Sequence, residues 1–460
     1  MRRAALALVV ACSASLTEGL PPDWNADLPM GVADDGDPRS DVVDVHLEAK
    51  IARVEIEPGH TVEMWTYDGK SPGPLLRAHV GDLLRVHFVN HLPAPTTIHW
   101  HGLEVPAAMD GADPSYPTIA PGGTFDFEFR LPHAGTYWYH PHVDSAGQLW
   151  RGLYGALIVT DPNEPRLGDE VVLTLHDVQL DAKGELEPVD KLGDLGRFFG
   201  TEGATLLVNG RVMPTLRVYP EEPVRLRIVN TSLSRYYRVA IPGASLTRIA
   251  GDSELATTPT LVSDAVVAPG QRVELVAVAH GEPGAALTVR ALSHDRFACG
   301  AGCNPDRDLM RVLLEDGRGP GSSIPPKLST IAPLDVSGAI HDQIVLSGVQ
   351  GQTLLAINGH SWPADPLVLM AKVGETRVWE IKNDTDYDHP FHLHGFRFQL
   401  LTRDDKPVPL TEWMDTMDVP RRTRANIAIH FDDRPGMWMF HCHILDHAEI
   451  GMMGMVHLMP

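Results

Sequence analysis

Toward its C-terminal end the chain reads Met439-Phe440-His441-Cys442-His443-Ile444-Leu445-Asp446-His447, and Met452 follows. One cysteine lies between two histidines, with a third histidine and a methionine downstream. Two imidazoles and a thiolate in a trigonal plane, with a weak axial thioether, are the ligands of a blue copper centre. A cysteine among histidines also suits zinc, so the stretch needs partners elsewhere before it is assigned. On a β-strand, side chains alternate between faces. His441 and His443 then point one way and Cys442 the other. Such a strand touches two metal sites, one per face, with the cysteine as the covalent path between them.

Working outward, short runs of alternating apolar and polar residues recur from about residue 41, bounded by Gly, Pro, Asn and Asp. Leu83-Leu84-Arg85-Val86-His87-Phe88-Val89 and Val224-Arg225-Leu226-Arg227-Ile228-Val229 are examples. This patterning predicts strands of sandwiches or barrels. The runs repeat with a period on the order of 150 residues, which is the size of a domain. One landmark of the repeat is a strand ending in Asn90, Asn230 or Asn383. A later one is Pro121-Gly122-Gly123, Pro269-Gly270-Gln271-Arg272 or Pro420-Arg421-Arg422. The expectation is three consecutive β-sandwich domains over 41–160, 165–320 and 335–460. They are joined at Asp161-Pro162-Asn163-Glu164-Pro165 and at the Gly/Pro/Ser-rich stretch 317–326.

The same repeat aligns the histidines. His99 and His101 lie nine and eleven residues after Asn90, and His392 and His394 lie nine and eleven after Asn383. The equivalents after Asn230 are Val239 and Ile241. His140-Pro141-His142 in the first unit matches His441-Cys442-His443 in the third, whereas the middle unit has Leu292-Ser293-His294. The outer units thus present two H-x-H pairs each, eight imidazoles in all, and the middle unit presents none. Each pair points both rings to one face of its strand. Face to face, the outer units gather enough nitrogens for a cluster of three metals. Zinc sites seldom use eight histidines without a carboxylate; copper suits imidazole.

The 460 residues carry a formal charge of −22 and a pI near 5.4, which argues against nucleic acid as a partner. Met1-Arg2-Arg3 followed by apolar Ala4 to Val10 has the form of an export signal, read here as residues 1–18. No later run reaches the ~18 apolar residues of a membrane span. Val9-Val10-Ala11-Cys12 resembles a lipobox, so Cys12 is either lipidated or discarded with an ordinary signal. Residues 19–40 read as a flexible segment. Cys299 and Cys303, in a Gly-rich loop, are expected to form a local disulfide in an exported protein. Cys442 is left without a cysteine partner, as a metal thiolate should be.

With HWHG at 99–102, HPH at 140–142, HPFHLHG at 389–395 and HCHILDH at 441–447 followed by Met452, the chain resembles the three-domain, laccase-like multicopper oxidases, over nearly everything after the signal. The resemblance implies an all-β chain of three cupredoxin-like Greek-key sandwiches holding four copper ions. By it, His389, Cys442, His447 and Met452 bind a type 1 copper, and His99 and His392 a type 2 copper. His101, His140, His142, His394, His441 and His443 bind a type 3 pair. It also implies one-electron oxidation of a phenol, aromatic amine or metal ion at the type 1 site. Electrons then pass through Cys442 to a cluster that reduces dioxygen to water. His447, near the surface in the family, is the expected point of electron uptake, and Asp110 the expected proton relay. A monomer is expected.

There are departures. Many bacterial relatives carry Glu directly after the last type 1 histidine, where this chain has Ala448, with Glu449 next. Cuprous oxidases of copper tolerance often carry a long Met-rich insert, which is absent here. The acidic loop Asp384, Asp386 and Asp388, and the group Met414, Asp415, Met417 and Asp418, are candidates for attracting a metal cation. A cuprous oxidase and a non-enzymatic copper-binding envelope scaffold are the alternative readings. A nitrite reductase, which completes its sites across subunits, fits less well a chain that holds both halves of the cluster.

Overall fold

The computed structural model describes residues 20–460, apart from 22, 27, 29, 113–117, 190, 192, 297–303 and 319–320. Cys12, Cys299 and Cys303, with the lipobox and disulfide expected of them, lie outside the described residues. The architecture is all-β: six sheets form three sandwiches, each with one pattern. In the first, His60–Tyr67, Val42–Glu57, Leu83–Asn90 and Thr124–Arg130 face Leu76–His79, Gly155–Thr160, Gly135–His140 and His99–His101. The middle and third sandwiches repeat this with a six-stranded and a five-stranded sheet each. Each has a parallel pair at equivalent places: Val42–Glu57 with Leu83–Asn90, Asp169–Val178 with Pro223–Asn230, and Ile340–Gly348 with Thr376–Asn383. Each sandwich closes over its own apolar core, around Trp100, Leu226 and Trp379 respectively.

The recurring asparagine has a physical cause. Asn90 donates to the carbonyls of Ala94 and Ile119 and accepts from the Leu92 N–H. Asn230 donates to Arg235 and Val267 and accepts from Ser232; Asn383 donates to Tyr387 and Val419 and accepts from Thr385. Each asparagine satisfies buried backbone groups where the chain leaves a strand and crosses to the other sheet, which a side chain without both donor and acceptor does not do. A second repeated device is the hairpin Asp68-Gly69, Asn209-Gly210 and Asn358-Gly359. Both residues of each turn have positive φ, as a two-residue type I′ turn requires.

The residues of 20–41 that are described do not behave as a free tether. Leu28 is buried in the middle core, Trp24 donates its indole N–H to the Val212 carbonyl at 2.8 Å, and Val32 bridges to Leu75. Leu28 is buried and Trp24 half-buried, and that outweighs the local Asp/Pro/Gly composition. Only short helices occur among the described residues, and none is long and apolar enough to cross a membrane.

Asn230→Ala removes three buried hydrogen bonds at a sheet crossing. It should cost about 3 kcal/mol, read as a lowered midpoint in thermal unfolding.

Candidate metal centres

Strand register does most of the positioning. His99–His101 runs antiparallel to Gly135–His140 with His99 opposite His140. His389–Leu393 runs antiparallel to Gly436–Cys442 with His392 opposite His441. The two outer sandwiches therefore present the same pair of strands at the same register. Trp100 and Leu393, between the ligand positions, point into the cores. In the middle sandwich the equivalent pair puts Val239 opposite Ala291, without a ligand. His294 stacks on Tyr236 with centroids 4.9 Å apart, away from the cluster.

Between the outer sandwiches the rings interdigitate. His101 stacks on His392 and His99 on His394, each at 3.9 Å between centroids. The potential ligand atoms of His101, His140 and His443 lie within 4.8 Å of one another. So do those of His142, His394 and His441, and those of His99, His101 and His392. Each triple draws on both outer sandwiches.

The tautomers follow from the remaining hydrogen bonds. The Nδ1–H of His99 donates to the Asp110 carbonyl, that of His140 to Pro141, that of His392 to Asp415 and that of His441 to Cys442, all at 2.9–3.0 Å. His394 donates to the Asp110 carboxylate at 2.9 Å. Nε2 of His99, His140 and His392 is left without a hydrogen-bond partner among the described residues. His101 is reversed: its Nε2 meets the Thr416 hydroxyl at 3.1 Å, and its Nδ1 is unpartnered. Burial, with mutual repulsion, holds His101, His140, His142, His394 and His443 well below the usual imidazole range, and takes His441 down to about 3. Neutral rings with unpartnered, buried lone pairs are what a metal requires, and unpaired they are costly. The donor set fits copper.

On the other face of Gly436–Cys442 is a second group. Cys442 Sγ lies 3.4 Å from His389 Nδ1 and 3.7 Å from His447 Nδ1, and these two nitrogens are 3.2 Å apart. The Thr385 hydroxyl meets His389 Nε2 at 2.8 Å and turns Nδ1 toward the sulfur. Met452 is fully buried in the same core as Cys442. Its N–H donates to the His447 carbonyl, and its own carbonyl accepts from the Cys442 N–H. Burial pushes the Cys442 thiol well up and takes His389 down to about 3. A thiolate here needs a cation beside it. Cys442 is a free, buried cysteine.

Asp110 is 1% exposed and sits between His99 and His394. The expectation of a surface-near His447 is not met. Its ring is fully buried, because the helix Gly193–Phe199 of the middle sandwich lies over the helix Leu445–Glu449 that carries it. The acidic loop is not a free cation trap either: Arg422 pairs with Asp384 and Asp386, and Asp388 accepts from the Arg421 N–H. Nor do the residues around 414–418 form a docking patch. Met417 is in the core, Asp418 accepts from Tyr236, and Asp415 is buried under the histidines. Glu449 faces the Ala146 N–H and Arg197, and Asp446 the Thr201 N–H.

The sequence reading missed Arg272, and it placed Asp415 only among candidates for attracting a metal cation. Arg272, wholly buried, reaches from the middle sandwich to the carbonyl of Thr136 in the first and the Asp415 carboxylate in the third. Asp252 accepts from the backbone N–H groups of Arg272 and Thr416. Asp415 Oδ1 in turn lies 3.3 Å from His101 and 3.5 Å from His392. Burial opposes the Asp415 charge, but the Arg272 guanidinium prevails and holds the carboxyl below its usual range. Burial pushes Asp252 up, with Arg272 opposing it. Two glycines make room. A Cβ on Gly102 (φ +86°) would fall 2.3 Å from the Arg272 guanidinium, and one on Gly270 (φ +81°) 2.6 Å from the His443 ring. The repeat landmark Pro269-Gly270-Gln271-Arg272 was the available signal.

Arg272→Met leaves two buried carboxylates without their cation. It should cost about 3–5 kcal/mol. Calorimetry should show the loss, and metal analysis should show less copper retained.

Multicopper oxidase family models match residues 48–164, 169–295 and 334–459. The multicopper oxidase MmcO of Mycobacterium tuberculosis is 30% identical, over 88% of this chain and 85% of its own. A laccase of Bacillus subtilis is 27% identical, over 85% and 89%. Among solved structures, the multicopper oxidase from Campylobacter jejuni, described as a metallo-oxidase, superimposes with a TM-score of 0.84 at 25% identity, covering 96% of this chain and 97% of that one. Sandwiches, buried histidine cluster and matched sequence together identify the chain as a member of the multicopper oxidase family.

Proposed function

We propose that this oxidase holds four coppers in the division that the family resemblance suggests. His389, Cys442, His447 and Met452 would hold the type 1 ion, and His99 and His392 the type 2 ion. His101, His140 and His443 hold one ion of the type 3 pair, and His142, His394 and His441 the other. The observation that carries this reading is the convergence of two imidazole triples, His101, His140 and His443 on unpartnered nitrogens and His142, His394 and His441 on Nε2 atoms that face one another, with Cys442 between a member of each. Bound copper would supply one-electron redox chemistry at the first site and dioxygen reduction at the cluster.

The chain's own residues do the rest. Cys442 links the type 1 group covalently to His441 and His443. Asp110, between His99 and His394, is placed to relay protons. Thr385, Asp415 and the carbonyls of Asp110, Pro141 and Cys442 orient the rings. Four substrate molecules each lose one electron, a phenol giving a phenoxyl radical and a proton, and one dioxygen with four protons becomes two waters. The reductant is a phenol, an aromatic amine or a metal ion. The Campylobacter jejuni neighbour's description as a metallo-oxidase supports the last, and a cuprous oxidase is the second reading. We also propose export, on the strength of Met1-Arg2-Arg3 and the apolar run after it, with Cys12 as a lipid anchor if the lipobox is used, and a monomeric state.

Copper-loaded protein should show a blue band near 600 nm and take up oxygen. Steady-state rates with Cu(I), Mn(II) and a phenol should rank the reductants, and no turnover with any of them would sink the oxidase reading. Met452→Leu should raise the type 1 potential; an unchanged potential removes Met452 from the ligand set. Asp110→Asn should lower kcat by about 100-fold or more, within the range of a lost proton-transfer group, and keep the blue band.

A further inference from the structure

The sheet that carries Cys442 has an outer face as well as a core face. Strand Met453–Met459 lies in it between Gly436–Cys442, which is antiparallel to it, and Leu367–Lys372, which is parallel. Val456 and Leu458 point into the apolar core. Met453, Met455 and His457 therefore point outward. The register sets these side chains in rows with their cross-strand neighbours. One row is Met370, His457 and Met437; the next is Val368, Met455 and Met439; Met453 stands opposite His441 in the one after. Five of the chain's 15 methionines share this patch, at strand positions that β-branched and aromatic residues ordinarily fill.

The rows differ in exposure. Met370 is 48% exposed, His457 is exposed and Met437 is half-buried. Met455, Met439 and Met453 are buried in one cluster with Ala112 of the first sandwich, and Met437 and Trp362 pack at its edge. Among the described residues the His457 ring makes no hydrogen bond and no ion pair. Side chains directly opposite across two strands start about 5 Å apart at Cβ, so two flexible thioethers flanking one imidazole can close on a single ion. Uncharged, soft thioethers select Cu(I). Packing alone does not call for sulfur, since leucine fills nearly the same volume.

We propose that Met370, His457 and Met437 form a capture site for Cu(I), and that the thioethers of Met455, Met439 and Met453 pass the ion inward to the histidine cluster at His441. No electron moves in this passage: one metal–thioether bond forms as the preceding one breaks. The destination rests on His441 being a ligand of the trinuclear cluster; the capture site does not.

Two measurements test it. The first titrates Ag(I), a soft monovalent cation that is not oxidised under these conditions, into copper-loaded protein by calorimetry. Wild type should bind one Ag(I) per chain, and Met370→Leu/His457→Gln should bind it at least about tenfold more weakly; both residues are exposed, so the fold does not depend on them. The second follows, without oxygen, the transfer of Cu(I) from its coloured bicinchoninate complex to copper-free protein. Uptake should be about tenfold slower in Met370→Leu/His457→Gln and in the volume-conserving Met439→Leu/Met455→Leu, with the same final copper content. Equal silver affinity in wild type and variant overturns the capture site. Wild-type uptake rates in both variants overturn the passage. A wild type that takes up only the copper of the blue band overturns the four-copper reading instead, and the silver difference still decides the capture site.

Discussion

Eight imidazoles with ring centroids as close as 3.9 Å share one buried interface only if they are uncharged and aimed. Burial supplies the first condition for His101, His140, His142, His392, His394, His441 and His443, because desolvation disfavours the imidazolium and neighbouring rings add to the penalty. Hydrogen bonds supply the second. Each of several rings spends one nitrogen on a carbonyl or carboxylate, and that choice fixes the tautomer and turns the other nitrogen inward. The carbonyls come from the same strands and loops as the histidines, so the strand register sets both ring position and ring tautomer. A slip of one residue would send every H-x-H pair into the opposite face.

Two sandwiches must then meet with their strand pairs in register, and direct bonds such as His394 to Asp110 and His101 to Thr416 join them. The middle sandwich adds a further tie. Its contribution is a buried cation, Arg272, held between a carbonyl of the first sandwich and a carboxylate of the third. A buried ion pair is a weak source of net stability, since desolvation offsets most of the attraction. It is a strict source of position, because any displacement leaves a charge unpaired. The Asp415 carboxylate that Arg272 grips is also the group beside His101 and His392. Domain registration and ligand orientation are therefore one network.

Much of this was legible in the chain, for identifiable reasons. The H-x-H pairs speak because a strand has period two, and two residues with one between must share a face. The asparagines speak because the same sheet crossing recurs and needs the same donor and acceptor each time. The contact between Arg272 and Asp415 and the seat of the 193–200 segment were illegible for the opposite reason; the repeat landmark marks the place of Arg272 but not its partners. Their partners lie more than a hundred residues away, in another sandwich, and no local period marks such a contact. The expected exposure of His447 failed on that point: a helix of the middle sandwich lies against the helix that carries it. Composition misled at 20–41 as well, where Trp24 and Leu28 outweigh a loop-like average.

The comparison of His140-Pro141-His142 with His441-Cys442-His443 isolates what the cysteine adds. In both, the central carbonyl accepts from Nδ1 of the preceding histidine, at 3.0 and 2.9 Å. Proline loses a backbone N–H and keeps the carbonyl, so its substitution spares the bond that aims the ring. The histidine cage is therefore nearly symmetric and indifferent to the central residue. The Cys442 side chain points the other way, into a core where His389, His447 and Met452 gather around it. Its sulfur is thus the group that ties one buried site to the other through a few covalent bonds, and the same backbone carbonyl that orients His441 belongs to that path. The cage owes its one link to a second buried site to this single asymmetry, because the equivalent position in the first sandwich carries a proline ring with no donor.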